Sequence, residues 1–296
     1  MNKSFPVRAV ILTALAPLLW STGGIGVRIL DYSAVTILFW RSLFTTATLV
    51  VWSLIRFRRH TVQKFAESIR YGWPVALFFA MSFIFYVFSV TNTSVADSLL
   101  IQGTAPIFIA IIGWIVIRDV PEKITIAALG LVIVGIGIIM FQSLENGGLS
   151  GNLYGLLKAL SFASGAVAIR GLRNISHLPA ITTASLLAMI FALFLGPELA
   201  IDLQSLAILA YLGIVQVGIG FILFVTWSGY LKASQTGLIV ILEAVFGPVW
   251  PWIWLSEKPG SATFVGGAVI IAALVLHSLY VGRPTDNAVS VSEKSG

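Results

Sequence analysis

Polar and charged positions in this chain gather in short clusters, and between them run apolar stretches of about twenty residues. Ten such stretches can be read, at 7–27, 34–55, 72–91, 95–117, 124–141, 152–171, 178–196, 205–227, 234–255 and 261–281. Each is close to the ~20 residues that cross ~30 Å of hydrocarbon at ~1.5 Å per residue. No alternating strand pattern appears. Backbone groups in lipid must satisfy one another, so the pattern predicts ten transmembrane helices. The first stretch starts near residue 7 without a small-residue cleavage site, and reads as a retained helix rather than a signal peptide. Residues 282–296 are polar and predict a flexible, solvated tail.

Composition agrees with this pattern. Of 296 residues, 58% are hydrophobic and 10% charged, and mean hydropathy is +0.97. Soluble domains carry about 25% charged residues. A soluble enzyme, a disulfide scaffold and a disordered chain are therefore excluded, leaving an all-α integral membrane protein. Cysteine is absent, which removes disulfides, Cys-ligated zinc and thiolate nucleophiles. His60, His177 and His277 are too scattered to form a metal motif. No glycine-rich nucleotide loop is present, so neither ATP-driven transport nor a cofactor is expected.

Charge sets the orientation. With the N-terminus in the cytoplasm, inside segments hold fourteen of the 18 Lys and Arg residues, and outside loops hold only Arg28 and Lys258. This places both termini in the cytoplasm. It also explains the net charge of +6 without a nucleic-acid partner. The basic segment 56–70 then reads as a solvated inside loop within reach of anionic lipid. Arg41 and Lys158 fall inside spans, where their long stems can snorkel to an interface.

The chain repeats itself. Trp114-Ile115-Val116-Ile117-Arg118-Asp119-Val120-Pro121 ends the fourth stretch, and Trp252-Ile253-Trp254-Leu255-Ser256-Glu257-Lys258-Pro259 ends the ninth, 138 residues later. The same shift relates Leu100 to Leu238, Ile101 to Ile239 and Phe108 to Phe246. Near the start, Trp20-Ser21-Thr22-Gly23 matches Phe162-Ala163-Ser164-Gly165 at a shift of 142. Two repeats follow, at 1–142 and 151–281, with five spans each. Five is odd, so the second repeat must enter the membrane inverted, the arrangement that underlies alternating access. Two fused copies form a complete unit, so a monomer is expected.

These residues, with Pro106, Gly130, Gly135 and the mid-span Leu242-Glu243, resemble the EamA family of the drug/metabolite transporter superfamily over nearly all of residues 7–281. Within it the chain looks most like the YddG-type exporters of aromatic and other amino acids. The resemblance implies a solute cavity between the repeats and a bacterial inner membrane. One departure bears on geometry. A Leu-Glu-Pro pattern is common in the second half of the family, and here Ala244 replaces the proline, while Pro248 and Pro251 follow later.

Glu243 sits about ten residues from either end of its span, where an ionisable group is costly unless paired, hydrated or protonated. Its counterpart is Ala105, so the charge is not repeated. It is the leading site candidate, either to contact a substrate amine or to cycle a proton; the structural alternative is a glutamate bonded to a neighbouring helix. Lys158 is read either as snorkelling or as pairing with Glu243 or a substrate carboxylate; Arg41 is read as structural. Phe79, Phe83 and Tyr86 recur on one face of the third span; Gln216, Gly220, Phe224 and Trp227 do so on the eighth. Aromatic stripes often only pack, but the amides of Gln102 and Gln216 and the Tyr86 hydroxyl are disfavoured against lipid. Together with Trp20 and Phe162 they suggest an aromatic-walled cavity for amino acids. Asp119 and Glu257 end the repeated motif as solvated helix ends or gate charges. The intramembrane glycines read as close-approach sites, and Pro17, Pro106, Pro248 and Pro251 as kinks.

A secondary transporter exporting amino acids is the leading function. Export of cationic drugs is the main alternative, favoured by Glu243. Nucleotide-sugar transport would want more basic residues than two. An intramembrane enzyme using Ser164 and His277 lacks the glycine expected before such a serine, and a channel remains a third class.

Overall fold

The computed structural model describes residues 4–118, 123–146, 148–172, 176–231, 233–256 and 259–281. Asp119, Glu257 and the tail 282–296 lie outside them. No strand occurs among the described residues. The chain opens with α1 (Ser4–Ser21) and α2 (Gly23–Arg28), then α3 (Ala34–Phe57), a short α4 (Thr61–Tyr71) and α5 (Trp73–Asn92). α6 (Val95–Gln102), α7 (Ala105–Ile117) and α8 (Lys123–Asn146) complete the first half. The second half holds α9 (Leu149–Gly171), α10 (His177–Phe194) and α11 (Leu203–Ala210), which runs through a π-helical stretch (Tyr211–Ile219) into α12 (Gly220–Trp227). α13 (Ala233–Phe246), α14 (Val249–Leu255) and α15 (Ser261–Val281) close the chain. Among the described residues, eight helical segments are long and apolar enough to cross a membrane, and two further apolar segments, Ile239–Leu255 and Ser261–Leu276, are shorter.

The interruptions have local causes. α1 runs unbroken through Pro17, and the break comes at Thr22 instead. There Ser21 Oγ donates to the Leu18 carbonyl and Thr22 Oγ1 to the Leu19 carbonyl, each at 2.7 Å, competing with the helical ladder. α6 gives way to α7 at Gly103 and Thr104, with Pro106 in the first turn of α7. In the second half the equivalent break falls later, at Gly247, with Pro248 capping α14. Losing the proline at Ala244 leaves Glu243 inside a continuous helix. The repeated Trp-Ile motif also has a backbone counterpart. Arg118 and Ser256, both helix C-caps, adopt left-handed φ of 56° and 55°, a common way to end a helix.

The halves pack as counterparts. α5 lies on α9 as α12 lies on α1, and α10 lies on α5 as the π-helical stretch lies on α3. α3 packs on α10 and α8 on α15, each against its own equivalent. This is the pattern a two-fold exchange of the repeats produces. One apolar cluster fills the space among α1, α3, α5, α10 and α12; a second joins α6, α7, α8, α13 and α15. Outward-facing apolar side chains such as Ile115, Phe141, Ile253 and Leu203 are well exposed, as expected of a surface that meets lipid.

Two expectations are corrected. Residues 56–70 are not a plain loop. A 3-10 turn at Arg58–His60 leads into α4, because Val62, Phe65 and Ile69 recur at helical spacing opposite Lys64, Glu67 and Arg70. Val62 and Ile69 are 81% and 61% exposed, so α4 has the form of an interfacial helix. Nor do all the glycines mark close packing. A Cβ on Gly135 would stand 2.8 Å from the Gly266 carbonyl, whereas Gly130 and Gly137 face open space.

Candidate functional site

The break between α1 and α2 is where the site begins. It frees the Trp20 carbonyl, which accepts from Gln216 Nε2 at 3.2 Å. Gln216 comes from the π-helical stretch, which is pressed against α3: a Cβ on Gly213 would lie 2.6 Å from the Arg41 carbonyl, and Thr45 Oγ1 donates to the Gly213 carbonyl at 3.1 Å. That contact sets Gln216 Oε1 to accept from an Arg41 guanidinium NH2 at 3.1 Å. The guanidinium also stacks on Tyr86, 4.6 Å from the ring centroid. Trp20, Arg41, Tyr86 and Gln216 are all at most 5% exposed.

These four residues line a cavity of about 40 Å³ together with Phe83, Lys158, Phe162 and Glu243. Lys158 reaches it from α9, with its ammonium 5.3 Å over the Phe162 ring. Glu243 reaches it from α13 and lies within electrostatic reach of both Lys158 and Arg41. No salt bridge joins these three among the described residues. Arg41 Nε, Tyr86 Oη and Trp20 Nε1 are buried without a hydrogen-bond partner. Buried polar atoms are nearly always paired, so three orphans around one cavity make it the candidate site. A water needs ~10–15 Å³ of such volume, so the cavity in this contracted form suits waters, and a solute requires the helices to part.

Seven of the ten residues singled out from sequence meet here: Trp20, Phe83, Tyr86, Lys158, Phe162, Gln216 and Glu243. Phe79 stands one layer behind, its ring 5.4 Å from Phe162 and 6.5 Å from Phe83. Gln102 is buried elsewhere, donating to Ser98 Oγ at 2.6 Å. Trp227 lies at the end of α12 under the Arg8 guanidinium, 5.4 Å away. The stripe read on the eighth span is one face, laid along α1: Gln216 donates to the Trp20 carbonyl, Phe224 meets the Trp20 ring at 5.3 Å and Trp227 meets Arg8, but of its four residues the cavity lining includes Gln216. Gln216, Val217 and Phe221 line the cavity, and Gly220 instead closes on Trp20. Arg41 was missed: its place in a span suggested snorkelling, yet it is buried at the centre. Arg41 stands seven residues from Ala34 at the start of its span, a depth that fits snorkelling and burial alike.

Away from the cavity, the end of the bundle where α2 meets α3 is tied to the segment before α11. Tyr32 Oη donates to Asp202 Oδ2 at 3.1 Å, Trp40 Nε1 to the Glu198 carbonyl at 3.1 Å, and the Glu198 amide to Thr36 Oγ1 at 3.0 Å. Asp202 caps α11 through the Ser205 amide at 2.9 Å. Hydrogen bonds from Ser205, and then from Tyr32, hold its carboxyl down at about 2.

The chain is similar to several transporters. It is 23% identical over 254 residues to the pseudopaline exporter CntI of Pseudomonas aeruginosa, covering 82% of this chain and 85% of that one. It is 24% identical over 270 residues to an uncharacterized transporter of Archaeoglobus fulgidus, covering 84% and 85%. Neither relative carries the narrower resemblance to YddG-type amino-acid exporters. A solved crystal structure superimposes with a TM-score of 0.64 at 17% identity, over 94% of this chain and 99% of that one; at that identity the likeness concerns the fold. The EamA-like transporter family model matches residues 7–141 and again residues 149–279. With the family pattern fitted twice, over halves that pack as counterparts, the chain belongs to the EamA-like transporter family.

Proposed function

We propose that the chain is a secondary transporter that exports amino acids, and small metabolites built from them, across the bacterial inner membrane by alternating access. The observation that carries this reading is the seam cavity, where Arg41, Lys158 and Glu243 meet inside aromatic walls. An amino acid offers a carboxylate to the cations and an ammonium to Glu243, while Trp20, Phe83 and Phe162 suit an aromatic or other apolar side chain. The exporter among the relatives supports outward movement of a small metabolite. Ten spans in two inverted repeats, at 1–142 and 151–281, with both termini cytoplasmic and a monomer as the working unit, complete the proposal. The counterpart packing of the halves supports it, because two near-equivalent arrangements can exchange roles.

Export of cationic drugs fits less well, since Glu243 shares its cavity with two cations. The test is reconstitution into liposomes with a panel of labelled amino acids, with and without a pH gradient. Saturable, solute-selective counterflow that Glu243→Gln weakens is expected. Flux that does not saturate, or a Glu243→Gln variant with unaltered rate and pH dependence, removes the proposal.

A further inference from the structure

Resting on that reading, we infer that the cavity prefers amino-acid derivatives with one more carboxylate than amine, so that the cargo carries a net charge of −1. Two cations, Arg41 and Lys158, face one carboxylate, Glu243, around a single cavity, and no salt bridge consumes any of them among the described residues. With all three ionised the site holds one uncancelled positive charge away from water, an arrangement that strongly favours a counter-charge.

Hydrogen-bonding capacity leans the same way. The unpartnered atoms are Arg41 Nε, Trp20 Nε1 and Tyr86 Oη; the first two only donate, and the third can donate. Gln216 already spends its carbonyl oxygen on Arg41 and its amide on the Trp20 carbonyl. The Glu243 carboxylate and the hydroxyls of Ser82 and Tyr86 are the acceptors the lining offers; the donors of Arg41, Lys158 and Trp20 outnumber them, and a ligand rich in carboxylate oxygens supplies the balance. A zwitterion leaves the excess charge in place, a cationic ester doubles it, and a solute with two carboxylates and one ammonium cancels it. In that solute one carboxylate meets Arg41 beside Tyr86 and Trp20, the other meets Lys158, and the ammonium meets Glu243.

The experiment compares counterflow of labelled glutamate, leucine and leucine methyl ester in liposomes holding the full chain, with the same three as ligands in thermal-shift titrations of the detergent-purified protein. Wild type should favour glutamate over leucine by about tenfold or more, with the ester last, a ratio typical of one mispaired charge. Lys158→Met removes the excess charge while keeping an unbranched stem, and should bring the glutamate-to-leucine ratio near or below one. If that variant does not fold, the thermal-shift ranking on wild type decides alone. Leucine matching or exceeding glutamate in wild type, or an unchanged ratio in Lys158→Met, overturns the charge preference and leaves amino-acid export standing. Failure of the whole panel to bind or move overturns both.

Discussion

Phe79 and Phe221 meet edge to face, with ring centroids 5.8 Å apart and planes at 83°, and they occupy the same position in the two repeats, 142 residues apart. Around them the contact of Phe79 with Phe162 at 5.4 Å and that of Trp20 with Phe221 at 5.0 Å are one contact seen from each half. The aromatic wall of the cavity is therefore a shared axis, built from both copies of the repeat.

That symmetry predicts matched energetics. Phe79→Ala and Phe221→Ala should each destabilise the protein by about 3–5 kcal/mol, the usual range for a buried Phe to Ala change. Thermal unfolding in detergent should show falls of similar size, and the Leu variants smaller ones. A large fall for one and none for the other would break the proposed equivalence of the two rings.

The glycines divide into tight and open positions. A Cβ on Gly23 would press on Tyr86 Oη and stand 2.6 Å from Gln216 Nε2. Gly23→Ala should cost about 1–3 kcal/mol by overpacking and depress transport by displacing Arg41's partners. Gly130→Ala, facing open space, should be neutral or stabilising by up to about 1 kcal/mol. Unfolding midpoints and flux of the two variants, measured side by side, check both.

Gln216 holds Arg41 through its carbonyl oxygen and the α1–α2 break through its amide. Gln216→Leu leaves the Trp20 carbonyl and one guanidinium nitrogen unsatisfied, at about 1–3 kcal/mol. The expected signature is a raised KM with a smaller change in kcat, because the guanidinium loses its aim while the helices still move. Gln216→Glu, which keeps an acceptor for Arg41, should recover part of the KM. An unaltered KM in Gln216→Leu would show that Arg41 needs no such support.

Asp202 sets a pH window. Its carboxyl lies at about 2 in the folded protein against ~3.9 unfolded. A depressed folded value means the contribution is fully present above about 4 and is lost as pH falls through about 2. Wild type should therefore exceed Asp202→Asn in unfolding temperature by a constant margin from neutral pH to about 4, and the margin should shrink below that. A margin that vanishes already at pH 6 would show that Tyr32 and Ser205 do not act on the ionised carboxylate.

Hydropathy made the bundle legible, and internal similarity revealed its two halves. The repeated Trp-Ile motif even foreshadowed a shared backbone turn, although its acidic residues Asp119 and Glu257 lie outside the described region. Glu243, Lys158, Trp20 and Phe162 could be selected because charge or repeat symmetry made them unusual. Arg41 could not be ranked above a snorkelling cation, since depth within a span says little about which way a long side chain turns. Trp227 shares the α1-facing side of its helix with Gln216 and Phe224, but periodicity gives the face and not the depth, and Trp227 stands at the helix end, beyond the cavity. The helix at 61–71 was hidden by its charge, which dominates average hydropathy while Val62 and Ile69 carry the face.

The two halves do not bend at the same place. α6 yields to α7 three residues before Pro106, while α13 continues past Ala244, the counterpart of that proline, to break at Gly247. Under the proposed alternating access, hinges set at unequal depths would make the two facings of the carrier unequal in energy. An empty carrier would then have a resting side, and turnover a slow return stroke and a fast one.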